Sequence, residues 1–184
     1  MTSNSGARSK QIVVAVTCSA LAVTIGFFIM LSAPAIARGN AEEAVRDALI
    51  KSALSFEKND LAMASEVWAG DESLTVFEQG EANYGWKDYR DNHLAPEMAE
   101  FKNTKYQLSD IKVHLAGKTA WAIFKYTISG DVMEKDKLRH INGGGLGTAV
   151  LEERKGHWQI VHWHSSAPRR APTTPATPAT PAGH

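Results

Sequence analysis

One cysteine, Cys18, is all the thiol this chain of 184 residues carries, and it sits inside an apolar run near the N-terminus. No disulfide can therefore staple the residues that follow, so the domain is held by its own packed core, helped by any interface it makes. A surplus of charge is missing as well, since 20 Lys and Arg stand against 20 Asp and Glu. No basic stripe with interleaved aromatics is present either, and nothing draws the chain to nucleic acid. Phosphate loops are absent too. Gly143, Gly144, Gly145 and Gly147 lie between strand candidates, not between a strand and a helix, and read as a flexible or bulged strand entry. What remains as a partner is a small molecule or another protein.

What is present begins with an export pattern. Arg8 and Lys10 precede an uncharged run from Gln11 to Leu31, and Ala33-Pro34-Ala35-Ile36-Ala37 follows just before Arg38. Basic, apolar and small-residue segments in that order make residues 1–37 a signal peptide, with cleavage expected after Ala37. The run is also close to the roughly 20 residues that span a bilayer, so an uncleaved membrane anchor over residues 11–31 is the alternative. Either way the domain, 38–168, is expected outside the cytoplasm, periplasmic or extracellular. From Arg169 a Pro/Thr/Ala repeat with nothing apolar to bury gives an expected disordered tail, 169–184.

Between these ends the apolar period changes from helical to strand-like. Ala44, Val45, Ala48, Leu49, Leu54 and Phe56 recur at helical spacing, Lys58-Asn59-Asp60 ends that run, and a short second helix reaches Trp68. Ser73 to Glu78 is a strand candidate ended by Gln79-Gly80. Gly85 to Phe101 is expected to be a helix that Pro96 kinks or restarts. Four strand candidates follow: Tyr106 to Leu115, Ala120 to Ser129, a stretch ending in Gly147 to Glu153, and His157 to Ser166. Short connections at Ala116 to Thr119 and Arg154 to Gly156 make the neighbours antiparallel. Helices first and strands after define an α+β domain, with helices on one face of a curved antiparallel sheet and a pocket on its concave side.

The last strand carries large apolar groups on both faces. Period-two alternation places Trp158, Ile160, His162, His164 and Ser166 on one side and Gln159, Val161, Trp163 and Ser165 on the other. The two histidines are expected to face inward, into a cavity roofed by the helix that bears Trp86 and His93.

Leu74-Thr75-Val76-Phe77-Glu78, Gly85 and His93, His114 to Ala120, and above all Gly156 to Pro168 resemble in order and spacing the association domain of calcium/calmodulin-dependent protein kinase II. That domain belongs to the nuclear transport factor 2-like superfamily, with SnoaL-like and ketosteroid-isomerase-like relatives. The resemblance implies a cone-shaped α+β fold, a deep pocket, and a sheet surface that commonly mediates dimerisation, hence a homo-oligomer of at least two copies. It also marks departures. No kinase domain is present, and Thr127 and Ala149 stand where the kinases carry arginines. Ala41 to Phe56 lacks the tyrosine that ketosteroid isomerases place in an oxyanion hole, while Glu78 matches the strand position of their carboxylate base.

Several residues are candidates for chemistry. Glu78 on an apolar strand could be a general base raised by burial, or a wall residue hydrogen-bonded in place. His162 and His164 could supply an acid, or join His93 or Glu97 around a metal; a satisfied structural network is the plainer reading. Trp86, Tyr89, Trp121 and Tyr126 could form an aromatic wall, with His93, Glu97, Thr127 and Ser166 as further ligand contacts. Met133 to Arg139 is expected to be a charged loop overhanging the pocket. Three functions follow: foremost a non-catalytic, exported module that binds an unknown small molecule and self-associates; then a pocket enzyme of isomerase, dehydratase or hydrolase type; then a metal-binding protein on the histidines. Neither a cofactor nor a metal is assigned.

Overall fold

A computed structural model of the chain describes residues 17–134 and 137–168, with the backbone alone for 17–36 and for Glu134. The expected export segment thus lies outside the described side chains, and the expected tail lies outside the described residues. Two compact units divide the chain at 1–44 and 45–184. In the first, the described backbone is helical from Thr17, the opening of α1 (Thr17–Lys58), with Arg38 and Glu42 paired across one turn at 3.4 Å.

The second unit holds the domain. In the remainder of α1, Val45, Ala48, Leu49, Ser52, Ala53 and Phe56 are buried, which is one stripe at helical spacing. The helix stops where Asn59 turns to φ 56°, a left-handed conformation that Asn tolerates. Asp60 then caps α2 (Leu61–Val67) by accepting the Met63 N–H at 2.8 Å. Strands β1 (Thr75–Glu78) and β2 (Glu81–Tyr84) form a hairpin about Gln79 and Gly80, both at positive φ, the conformation of a two-residue hairpin turn.

Trp86 to Glu100 is one helical run in three pieces: α3 (Trp86–Tyr89), a π turn (Arg90–Leu94) and α4 (Ala95–Glu100). Pro96 has no N–H to give to the turn before it. The run widens just ahead of it, and the Ala95 N–H bonds to the Arg90 carbonyl, five residues back. Phe101 belongs to the next strand, not to this helix.

Long strands β3 (Phe101–Ala116), β4 (Thr119–Glu134), β5 (Lys137–Arg154) and β6 (His157–Ser166) complete a six-stranded sheet in the order β2-β1-β6-β5-β4-β3. Its β1–β6 pair is parallel, so the sheet is mixed where an antiparallel one is expected. Within the loop expected at Met133 to Arg139, Met133 and Glu134 instead end β4 and pair with Leu138 and Lys137 of β5.

Register decides which side chains meet. On the inner face Val76, Trp163, Ala149 and Ala122 form one cross-strand row, and Glu78, Ser165, Gly147 and Phe124 form the next. On the outer face Thr75, His162, Val150, Trp121 and His114 make a row beside Phe77, His164, Thr148, Ile123 and Lys112. This arrangement depends on a bulge in β6. Ile160 pairs with Leu151 and His162 with Val150, so Val161 is an extra residue opposite a single step of β5. The alternation restarts there: Trp158 and Ile160 are buried, Val161 is buried too, and then Trp163 and Ser165. The histidines are thereby turned outward, which corrects the inward placement that unbroken alternation predicts.

A candidate acid–base pocket

Between the helices and the concave face lies a cavity of about 230 Å³. An apolar cavity of about 150 Å³ accepts benzene, so this one suits a molecule of one or two rings. Its walls are aromatic: Phe56, Trp68, Tyr89, Phe101, Tyr106, Tyr126 and Trp163, joined by Ile128 and Ile141, and among the described residues no lysine or arginine lines it. Ring contacts run from Tyr89 to Trp68 at 4.9 Å, on to Trp163 at 5.6 Å, and from there to Phe124 at 4.7 Å. Phe124 reaches that far because Gly147 beside it has no side chain; a Cβ there would lie 2.1 Å from the ring.

Glu78 enters this space from the end of β1. Its Oε1 accepts the Trp163 indole N–H at 3.0 Å and the Ser165 hydroxyl at 2.9 Å, while Oε2 lies 3.5 Å from His93 Nε2. One oxygen is pinned and the other faces the imidazole. Burial raises the Glu78 pKa above its ordinary value, opposed by the Ser165 hydrogen bond and the nearby His93. His93 stands on the π turn with its Nε2 also 3.6 Å from Glu97 Oε2. Its pKa is raised, chiefly by Glu97 and with Glu78 adding, against the opposing effect of burial. Nε2 of His93 thus faces two carboxylates, and both favour its protonated form.

The third component is phenolic. Tyr89 is 4% exposed, and burial, together with the charge of Glu78, holds its hydroxyl well above the ordinary range. No described group hydrogen-bonds to that hydroxyl, yet among the described residues no side-chain polar atom sealed from solvent is left unpaired. The Tyr89 hydroxyl therefore opens onto the cavity that the residue lines. Tyr106, whose pKa burial and then Glu78 also push well up, lines the same space.

Of the residues expected at a site, Glu78, Tyr89, His93, Glu97 and Tyr126 come together here. The others do not. His162 lies on the outer face, its Nδ1 2.7 Å from the Thr75 hydroxyl and its ring 5.4 Å from Phe77, and burial lowers its pKa. His164 is exposed on that same face. The pair is thus on the opposite side of the sheet from His93 and Glu97, and among the described residues no cluster of three metal-ligating side chains forms. Trp86 is buried against Tyr89, outside the cavity wall. Trp121 is 47% exposed and stacks on His114 at 3.9 Å. Thr127 points away from the face that Tyr126 and Ile128 line, and Ser166 is exposed, bonded at 3.5 Å to the Leu146 carbonyl. Trp163, Ser165, Tyr106 and Trp68 were not expected. Alternation already puts Trp163 and Ser165 together, and only the choice of inner face was wrong.

A cone of mixed sheet closed by helices over a polar pocket is the architecture of nuclear transport factor 2-like domains. The family model of the SnoaL-like domain matches residues 45–170, and the chain belongs to that family. Among solved structures, a nuclear transport factor 2-like superfamily protein from Salmonella enterica superposes with a TM-score of 0.67 at 17% identity, covering 74% of this chain and 96% of that one. A candidate dehydratase of the same family from Streptomyces avermitilis gives 0.61 at 18% identity, over 70% and 97%. A candidate ketosteroid isomerase from Shewanella frigidimarina gives 0.55 at 19% identity, over 67% and 94%. Such identities establish the shared fold. Comparison with curated proteins finds no match in sequence.

Proposed function

We propose that this chain is an exported SnoaL-like pocket protein that takes up a small, uncharged, ring-sized organic molecule and moves a proton at it, with Glu78 as the base. The observation that carries this reading is the pairing of a pinned, part-buried carboxylate with an unpartnered phenol in one aromatic cavity. From the sequence, Glu78 lacks an oxyanion partner; Tyr89 supplies the donor, from the helix after β2 and not from the first helix. Glu78 takes the proton through Oε2, because Oε1 is held by Trp163 and Ser165. A carboxylate raised by burial is a stronger base than one in water. The nearby His93 favours its ionised form, and the Tyr89 hydroxyl meets the charge that develops on the substrate's oxygen. The aromatic lining suits an uncharged ligand. Candidate isomerases and dehydratases among the relatives of this fold are in keeping with proton chemistry.

Binding without turnover is the second reading, favoured by the tight hold on Glu78, which equally suits a wall residue. Wild type and Glu78→Gln are incubated in D₂O with a panel of ring-sized ketones, and deuterium uptake is read by NMR. Uptake that falls at least ~100-fold in Glu78→Gln with binding retained supports the base. Binding with no exchange in either protein leaves the carrier.

The outer face supports a partner of its own. Phe77, Trp121, Ile123 and Leu146 are 36%, 47%, 38% and 62% exposed, and Phe77, Trp121 and Ile123 share two adjacent rows of one sheet face. An apolar face of that kind fits a second copy of the chain.

A further inference from the structure

We propose that Asn83 and Asp88, neither of which lines the cavity, are positioning residues that fix which nitrogen of His93 faces it. This inference rests on the reading of the cavity as a proton-transfer site. Asn83 stands on β2, the outermost strand of the sheet, and its Oδ1 lies 2.8 Å from His93 Nδ1. An amide can present either its oxygen or its NH₂, and each would select the opposite imidazole tautomer. Asp88 removes that freedom. Its Oδ2 lies 3.3 Å from Asn83 Nδ2, and an ionised carboxylate only accepts, so the NH₂ of Asn83 belongs on that side and the oxygen on the His93 side.

Asp88 is itself fixed. Its Oδ2 takes the Tyr84 backbone N–H at 2.9 Å, and its Oδ1 takes the Asn92 amide at 2.8 Å. These donors, Asn92 first, hold its pKa below the ordinary value, so it stays an acceptor well into acid. The consequence passes along the chain of bonds. His93 must carry its constant proton on Nδ1, and Nε2 becomes the nitrogen that gains and loses one beside Glu78 and Glu97. Besides those two carboxylates, the titratable groups that face the ring are Glu81 on β2, Asp88 on α3 and the Tyr89 phenol. None of them offers Nδ1 a competing acceptor among the described hydrogen bonds. The hairpin β1–β2 thus supplies the base at one end and the orienting amide near the other.

The experiment is ¹⁵N NMR of the histidine ring nitrogens in the folded protein, at the alkaline end of the His93 titration. In the wild type the expected spectrum shows His93 protonated on Nδ1 and bare on Nε2; a proton on Nε2 instead overturns the proposal whatever the variants do. In Asp88→Asn the amide of Asn83 is free to turn, and a mixture of tautomers is expected. In Asn83→Leu, which tests the same link should the first variant not fold, Nε2–H becomes the main form. An unchanged single Nδ1–H tautomer in either folded variant overturns the role of the residue replaced. Deuterium exchange on the ketone panel, where the wild type shows it, should fall at least about tenfold in Asp88→Asn with KM nearly unchanged. A wild type with the stated tautomer and no exchange on any ketone removes the proton-transfer reading and leaves the positioning of His93 standing.

Discussion

The indole N–H of Trp163 reaches Glu78 Oε1 across 3.0 Å, a bond between the last strand and the first. Because β1 and β6 are parallel neighbours with Glu78 opposite Ser165, Trp163 and Ser165 can both close on the same carboxylate oxygen. Trp163→Phe keeps a ring in the core but removes one donor to a part-buried carboxylate. The loss expected is about 1–3 kcal/mol of unfolding free energy, read by denaturant titration at neutral pH. A loss near zero would mean that water replaces the indole and that Glu78 is not held as described.

Stability should fall as pH rises from acid to mildly alkaline. Glu78 is raised from 4.5 by burial and His93 is raised from 6.5 chiefly by Glu97, so these two groups hold more protons in the folded chain than in the unfolded one, while His162, lowered by burial, acts in the opposite sense around 6.5. For Glu78 the decline begins above 4.5 and ends at its raised value. His93 contributes stability that is whole below 6.5 and is lost as pH passes through its raised value. Melting temperatures measured from about pH 5 to pH 8 should therefore decrease. Glu78→Gln should remove the acid part of the slope, and Glu97→Gln should flatten the neutral part; slopes identical to the wild type in both variants contradict both shifts.

Much of this architecture is legible in the sequence because long-range pattern survives in it. Helical stripes before Trp68, alternation from Tyr106 onward and the closing motif from Gly156 to Pro168 suffice for the α+β class and for a pocket near Glu78 and His93. What escapes is local and costs a single residue. The bulge at Val161 leaves no mark in a run where both faces are apolar, yet it reverses every side chain after it, exchanging His162 and His164 for Trp163 and Ser165. Strand β2 escapes because Glu81, Ala82 and Asn83 present an edge to solvent, with no apolar alternation to announce it. The resemblance points to the first helix for a tyrosine in the pocket, whereas Tyr89 reaches the cavity from the helix after β2.

Gly147 offers a test of packing against the Phe124 ring. It stands between Ser165 and Phe124 in the inner row, and an added methyl would meet Phe124 ring carbons at 2.1 and 2.4 Å. The ring cannot move toward Trp163, already 4.7 Å away between centroids. Gly147→Ala should therefore cost about 1–3 kcal/mol. Paired with Phe124→Leu, which vacates the space, it should cost less than the sum of the two singly, by a double-mutant cycle. Additive losses would show that the contact is not the cause.

The outer histidines separate a surface role from a site role. His164 is exposed and makes no described hydrogen bond, while His162 bonds to Thr75 within the rows that hold Phe77, Trp121 and Ile123. On the sheet's far side neither can touch the cavity, so His164→Ala should leave ketone binding unchanged and shift stability by no more than about 0.5 kcal/mol. If two copies meet on this face, a charge placed there is desolvated without a partner and drives them apart. Leu146→Asp and Ile123→Asp should then move the mass measured by light scattering from dimer to monomer with melting of the monomer little altered. A wild type that is monomeric at high micromolar concentration would leave the face without the partner assigned to it, and the cavity chemistry would be unaffected.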